Sequence, residues 1–114
     1  MEIKGEDYVV TYNPGTVTAV FRGALRLRGV AEYAPIVELL DDIIAATPGT
    51  ATVDLRGLRF LNSSGINVLF RFVIKMREQG ITHLIVLGSS LVPWQGKSLK
   101  NLQRLMPALQ LEME

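Results

Sequence analysis

The sequence predicts a small α/β sandwich, in which a mixed β-sheet with an antiparallel N-terminal hairpin is covered by three or four helices. Three observations lead to this fold class. Two neighbouring segments of strand composition are joined by a tight turn, later strands alternate with helical segments, and 114 residues are one domain's length. Strands that are separated by helices pair in parallel through right-handed crossovers. Residues 1–114 are therefore expected to form one domain.

The hairpin is predicted over residues 8–22. Residues 8–13 are rich in valine and tyrosine, which favour strands. Asn13-Pro14-Gly15 is a turn signal, because proline presets φ at the second turn position and glycine accepts a positive φ at the third. From Thr16 to Arg22 apolar and polar residues alternate, as they do in a strand with one buried face.

Helical periodicity predicts three helices, over residues 29–46, 64–79 and 98–105. The first helix begins either at Gly29 or, with Pro35 in its first turn and residues 29–33 as a loop, near Ala34. Thr47-Pro48-Gly49 is expected to end this helix, and Gly80 to follow the end of the second one.

Short apolar runs predict two further strands, at residues 50–55 and 82–87. The second run is continuously apolar, like a central strand that is covered on both faces. Weak alternation of Leu109, Leu111 and Met113 indicates a short edge strand after the third helix. The expected order is β-β-α-β-α-β-α, with this edge strand as an optional last element.

Composition excludes several classes of function. Without cysteine the chain has no disulfide, thiolate metal site or cysteine nucleophile, and His83 alone cannot form a histidine-rich metal site. Twelve basic and eleven acidic residues leave a net charge of +1, so no global field attracts nucleic acid or a membrane surface. The longest apolar runs, such as Leu84–Leu87, are too short to span a membrane. We expect no metal or cofactor, and a cytoplasmic location fits the lack of cysteine.

A serine hydrolase would require Ser63 to meet His83, the only histidine. Ser63 follows the carboxyl end of the predicted strand 50–55, whereas His83 lies at the amino end of the parallel strand 82–87. These two sheet edges are roughly 17–20 Å apart. A catalytic dyad is therefore not expected, and the chain is predicted not to be an enzyme.

Asn62-Ser63-Ser64-Gly65 is the most informative motif. It lies immediately before a helix, where free N–H groups and the helix dipole favour an anion. It also follows a parallel strand through a short predicted connection, Leu58–Leu61, at the edge where α/β proteins place their sites. The simpler interpretation is that Asn62 or Ser63 is only the N-cap of the helix.

The segment from Val53 to Leu69, VDLRGLRFLNSSGINVL, resembles the signature of STAS domains, the bacterial anti-sigma factor antagonists and their relatives. The pattern there is a strand, DLS, a hydrophobic stretch and DSSG before a helix, and the spacing from Asp54 to Ser63 fits. The resemblance implies a STAS-like sandwich that acts as a phosphorylation switch in transcription regulation. Ser63, or less readily Ser64, would be phosphorylated by a partner that is both kinase and anti-sigma factor, and only the unmodified form would bind it.

Asn62 stands where the family usually has aspartate. Its amide keeps the capping acceptor but lacks a carboxylate that orients the hydroxyl or interacts with kinase and metal. This departure supports an alternative, a non-phosphorylated STAS adaptor or scaffold in an ABC transporter or a stress-signalling assembly. A ligand-binding STAS module is a more distant third reading of the resemblance.

The second helix carries more apolar residues than one buried face requires. The predicted core face is Ile66, Leu69, Phe70, Val73 and Ile74. Val68, Phe72 and Met76 form a second stripe, which either packs on a neighbouring helix or is a partly exposed docking surface. Because this stripe begins beside the serines, the predicted partner-binding residues are Asn62, Ser63, Ser64, Gly65, Val68, Phe72 and Met76. Trp94 either covers the core edge or contacts a partner.

Overall fold

The computed structural model describes residues 1–46 and 49–114, and over these ranges the chain forms a six-stranded mixed sheet and three helices. The strands are β1 (Glu2–Lys4), β2 (Tyr8–Asn13), β3 (Thr18–Leu25), β4 (Ala51–Leu61), β5 (Leu84–Gly88) and β6 (Gln110–Met113). The helices are α1 (Gly29–Ala45), α2 (Ser63–Glu78) and α3 (Gln95–Leu105). The predicted fold class is confirmed, including the last edge strand.

The strands lie in the sheet in the order in which they occur in the chain. β1, β2 and β3 pair antiparallel, and β3, β4, β5 and β6 pair parallel. Right-handed crossovers that all advance in one direction place the connecting helices on the same face of the sheet. α2 packs between α1 and α3, and the core lies between this helical layer and the sheet.

β1 and β4 differ most from the prediction, whereas β3 and β5 differ from it by two or three residues at an end. β1 was not predicted, since Glu-Ile-Lys is short and mostly charged, and it forms only because it pairs with β2. β4 continues to Leu61, so the predicted connection Leu58–Leu61 is strand and α2 follows almost directly. β3 supports this extension because it pairs with β4 from Thr18 to Leu25, with two register shifts along the way.

The helix ends also shift. α1 begins at Gly29, so Pro35 lies inside the helix rather than in its first turn and removes one backbone hydrogen bond there. Thr47 and Pro48, predicted to help end α1, lie outside the described residues. Gly80 follows the C-cap of α2 with a φ of +74°, as predicted for a glycine in that position.

α3 begins at Gln95, three residues earlier than predicted. The side chains at its start form hydrogen bonds with the part of β4 that has no neighbouring β5 residue. β5 pairs with β4 only as far as Asp54. Beyond that point the buried Gln95 donates to the carbonyl oxygens of Leu55 (2.6 Å) and Leu58 (3.0 Å), and Trp94 Nε1 donates to the latter at 2.9 Å. Trp94 therefore covers the core edge. In the part of the chain that the structure describes, no helix is long and apolar enough to cross a membrane.

Candidate functional site

Asn62 holds the start of α2 through both ends of its side-chain amide. Its Oδ1 accepts hydrogen bonds from the backbone N–H of Gly65 (3.0 Å) and from the hydroxyl of Tyr33 (2.7 Å). Its Nδ2 donates to the carbonyl oxygen of Leu27 at 2.7 Å. Asn62 is therefore the N-cap, one of the two residues predicted for that role. The same side chain also joins α2 to α1 and to the segment between β3 and α1.

Tyr33 is the α1 residue in this network. It is 1% exposed, and its hydroxyl also lies 3.5 Å from the carbonyl oxygen of Leu25. Burial raises the pKa of Tyr33 to about 12, so the phenol stays protonated at neutral pH and remains a hydrogen-bond donor to Asn62. The network is neutral, and every polar atom in it serves the fold.

Gly65 leaves the space that this network occupies. A Cβ built on Gly65 would lie 2.6 Å from the Tyr33 hydroxyl oxygen and would also overlap the side chain of Leu61. The glycine of the motif is thus required by close packing, since any side chain would push Tyr33 away from Asn62.

Ser63 is the first residue of α2, and the structure places it where the sequence predicts, exposed at the start of the helix. Ser64 follows it and is half-buried. Amides in the first turn of a helix have no acceptor within the helix, and the dipole there favours negative charge. Because Asn62 provides the cap, the Ser63 hydroxyl is not needed for the helix end.

Of the two alternatives for the second stripe on α2, packing rather than an exposed docking surface holds for Phe72 and Met76. Phe72 is 4% exposed and Met76 is fully buried, and both belong to the core. Val68 is half-buried, so part of its surface remains accessible. The predicted core face is correct for Leu69 and Val73, whereas Ile66, Phe70 and Ile74 are only half-buried. The helix is rotated about its axis relative to the prediction, so that its core face includes Phe72 and Met76.

A groove of about 190 Å³ separates α1 from α2 and begins beside Ser64. Val37, Val68 and Phe72 contribute to its apolar lining. Arg71 and Lys75 lie along its α2 side, and Lys75 Nζ meets Asp41 Oδ1 of α1 at 3.0 Å. The candidate site therefore combines an exposed serine at a helix N-terminus with an open groove next to it.

Asp54 and Arg56, from the part of the motif that precedes the serines, form an ion pair that sequence reasoning missed. Arg56 Nη2 contacts Asp54 Oδ2 at 2.7 Å, and Arg56 Nη1 contacts Glu114 Oε2 at 2.6 Å. Hydrogen bonds from Arg56 lower the pKa of the Asp54 carboxyl group, against the effect of burial. The Asp-x-Arg spacing was the available signal, because alternate residues of a strand lie on one face.

His83 lies far from Ser63 in the sheet. Its carbonyl oxygen accepts from the backbone N–H of Ala51 at 3.0 Å, at the amino end of the β4–β5 pair, whereas Ser63 follows the carboxyl end of β4. Among the described residues no group of three or more histidine, aspartate or glutamate side chains is arranged to hold a metal ion.

No protein-family model and no curated protein sequence matches the chain. Solved structures of SiaC from Pseudomonas aeruginosa do match. Apo-SiaC superposes with a TM-score of 0.76 at 9% identity, over 100% of this chain and 97% of SiaC. A second SiaC structure superposes with a TM-score of 0.75 at 12% identity, over 100% of this chain and 96% of SiaC.

A third match is a chain from the crystal structure of the diguanylate cyclase SiaD in complex with its activator SiaC. It gives a TM-score of 0.74 at 10% identity, over 100% of this chain and 99% of that one. At such identities the likeness establishes that the fold is shared.

Proposed function

We propose that this protein is a regulatory protein-binding module, resembling an anti-sigma factor antagonist, that is switched by phosphorylation of Ser63. The observation that carries the proposal is the exposed Ser63 at the start of α2, beside a cap that Asn62 forms without it. The module has no catalytic activity of its own and acts in the cytoplasm through contact with a protein partner.

The physical basis of the switch is the difference between a hydroxyl and a phosphate at an interface. A phosphoserine adds about −1.5 to −2 charges where a neutral hydroxyl had been docked. Burying an unpaired charge against a partner costs several kcal/mol, whereas a hydroxyl needs about one hydrogen bond. The fold itself tolerates the modification, because the start of α2 favours negative charge.

The SiaC structures support the choice of partner class. SiaC is described as the activator of the diguanylate cyclase SiaD and was crystallised with it. A protein of this fold therefore regulates an enzyme by binding it. For the present chain we propose a signalling protein as the partner, either a kinase that is also an anti-sigma factor or another regulated enzyme.

A non-phosphorylated adaptor or scaffold is the second candidate, and the geometry of Asn62 favours it. The amide is fully engaged, with Oδ1 on Tyr33 and Gly65 and Nδ2 on Leu27. A residue that is needed as an amide by the fold is not free to act as the carboxylate that the family usually has before its serines. Under this candidate, binding does not depend on the charge at position 63.

The test compares a neutral and an acidic side chain at two positions. The tagged chain is purified from its own host as wild type, S63A and S63D, and as T82D, which places the same charge on an exposed residue at the opposite edge of the sheet. The switch predicts phosphate on Ser63 by mass spectrometry. It also predicts a partner that S63A and T82D retain and that S63D binds at least about tenfold more weakly. Equal binding by all four, with no phosphate on Ser63, would establish the adaptor instead.

A further inference from the structure

The groove between α1 and α2 has a mainly apolar lining. Its walls include Val37 and Val68, and Val30 stands at its side with 78% of its surface exposed. Single exposed apolar residues are common on protein surfaces, but here Val30, Val37 and Val68 line the same groove and form a contiguous apolar surface. From Ser64 to Lys75 the α2 side of the groove is about 17 Å long, at 1.5 Å per residue.

The two basic residues along the groove differ in whether they form an ion pair. Lys75 is paired with Asp41 across one end, at 3.0 Å. Arg71 is exposed and lines the middle of the groove, and within the described residues it forms no ion pair. The N-terminus of α2 adds partial positive charge at the other end. The groove therefore offers one free cation between an apolar wall and a positive helix end.

We propose that this groove binds an amphipathic helical segment of the partner protein, with apolar side chains on Val30, Val37 and Val68 and an acidic side chain on Arg71. Three helical turns match the length of the groove, and an apolar stripe laid between two helices is a common mode of peptide recognition. An acidic face complements Arg71 and the start of α2. This inference rests on the proposed function, in that the protein acts by binding a partner.

An acidic segment in the groove would be repelled by a phosphate on Ser63. Ser63 precedes Ser64, the residue at which the groove begins. A phosphate there would lie at the mouth of a groove that holds an acidic segment, and like charges at short range repel. Binding of the helical segment does not require phosphorylation of Ser63. The same groove can therefore act in an adaptor that is not switched.

Two synthetic peptides test the inference on the unmodified 114-residue chain. Both are 14-residue amphipathic helices with the same leucine stripe, and the polar face carries glutamate in one and lysine in the other. Titrated into ¹⁵N-labelled protein, the glutamate peptide is expected to shift amide signals along α1 and α2 around the groove. The lysine peptide is expected to bind at least about fivefold more weakly.

Charge reversal supplies the matched control. R71E should reverse the preference between the two peptides, whereas R104E, on the exposed side of α3, should leave it unchanged. Thermal melts verify that both variants are folded. Equal binding of the two peptides, shifts centred elsewhere on the surface, or an unaltered preference in R71E would overturn the proposal. None of these results involves Ser63, so a failure of the phosphorylation switch is recognised separately by the S63A and S63D comparison.

Discussion

The starts of α2 and α3 occupy equivalent places in the fold but use their polar groups in opposite ways. Each helix follows the carboxyl end of a parallel strand. At α2 the cap is a side chain, Asn62, and the next residue is exposed. At α3 the N-cap residue Trp94 makes no side-chain capping bond, and Trp94 and Gln95 instead reach the carbonyl oxygens of β4.

This difference shows that a position at the carboxyl edge of a sheet does not by itself make a site. Gln95 is completely buried, and both ends of its amide are occupied, because Ser89 N–H donates to its Oε1 at 2.8 Å. The polar side chains at the start of α3 are therefore used in hydrogen bonds that stabilise the sheet. At α2 the inward-facing network is completed by Asn62 and Tyr33, which leaves Ser63 free for contact with another molecule.

The largest effect is expected from removing the amide at the start of α3. Gln95→Leu leaves the Leu55 carbonyl and the Ser89 N–H buried without partners, and it should lower the free energy of unfolding by about 3 kcal/mol. Urea unfolding measures the loss. The exposed Gln79 is the matched control, and Gln79→Leu should change stability by less than about 0.5 kcal/mol. Equal stability of the two variants would contradict the structural role of Gln95.

The next effect concerns the cap of α2. Asn62→Ala should lower the free energy of unfolding by about 2 kcal/mol, since it removes the cap and leaves the buried Tyr33 hydroxyl only the distant Leu25 carbonyl, at 3.5 Å. Asn62→Asp keeps the acceptor but places a carboxylate against the Leu27 carbonyl. It should therefore lower the free energy of unfolding, but by less than Asn62→Ala does. Chemical denaturation of the three proteins at pH 7 measures both differences. An aspartate variant as stable as wild type would show that the donor function of Asn62 is dispensable.

Alanine should have opposite effects at two helical glycines. Gly65→Ala should destabilise the protein by about 1–2 kcal/mol, because the new methyl group collides with the Tyr33 hydroxyl. Gly96 in α3 has no atom within 4 Å of a built Cβ, so Gly96→Ala should stabilise by up to about 1 kcal/mol through helix propensity. Thermal melts give the sign of each change. A stabilising Gly65→Ala would contradict the crowding at Gly65, and a destabilising Gly96→Ala would contradict the open space at Gly96.

The smallest effect is expected at Ser64. Ser64→Ala would cost stability if Ser64 contributed to the helix cap. With Asn62 in that role, the substitution should change the free energy of unfolding by less than about 0.5 kcal/mol. Differential scanning calorimetry is sensitive enough to detect a larger cost, which would mean that Ser64 shares the capping function.

Most of the fold was predictable because its signals are local. The hairpin, the alternation of strands and helices, and an N-cap at Asn62 all follow from residues close together in the chain. The network around Asn62 was not predictable, because Tyr33 and Leu27 are 29 and 35 residues away and no local pattern marks them. The same holds for the extension of β4, which depends on pairing with β3 rather than on its own composition.

The core face of α2 was mispredicted for a different reason. Apolar residues occur around most of the helix, so periodicity alone allows more than one orientation. The structure selects the orientation in which Phe72 and Met76 are buried and Ile66, Phe70 and Ile74 are not. The candidate site shares this limit: its exposed serine was identified from a motif, whereas the groove beside it exists only through the packing of α1 on α2.

The strand order has a consequence for how the chain folds. Since neighbours in the sheet are also consecutive in the sequence, each added strand closes one hairpin or one strand–helix–strand unit. Loop-closure entropy rises with the number of residues enclosed, so no step has to join the two ends of the chain. The sheet can grow in one direction from its first strands, and a topology of such local connections favours rapid folding for a mixed α/β protein.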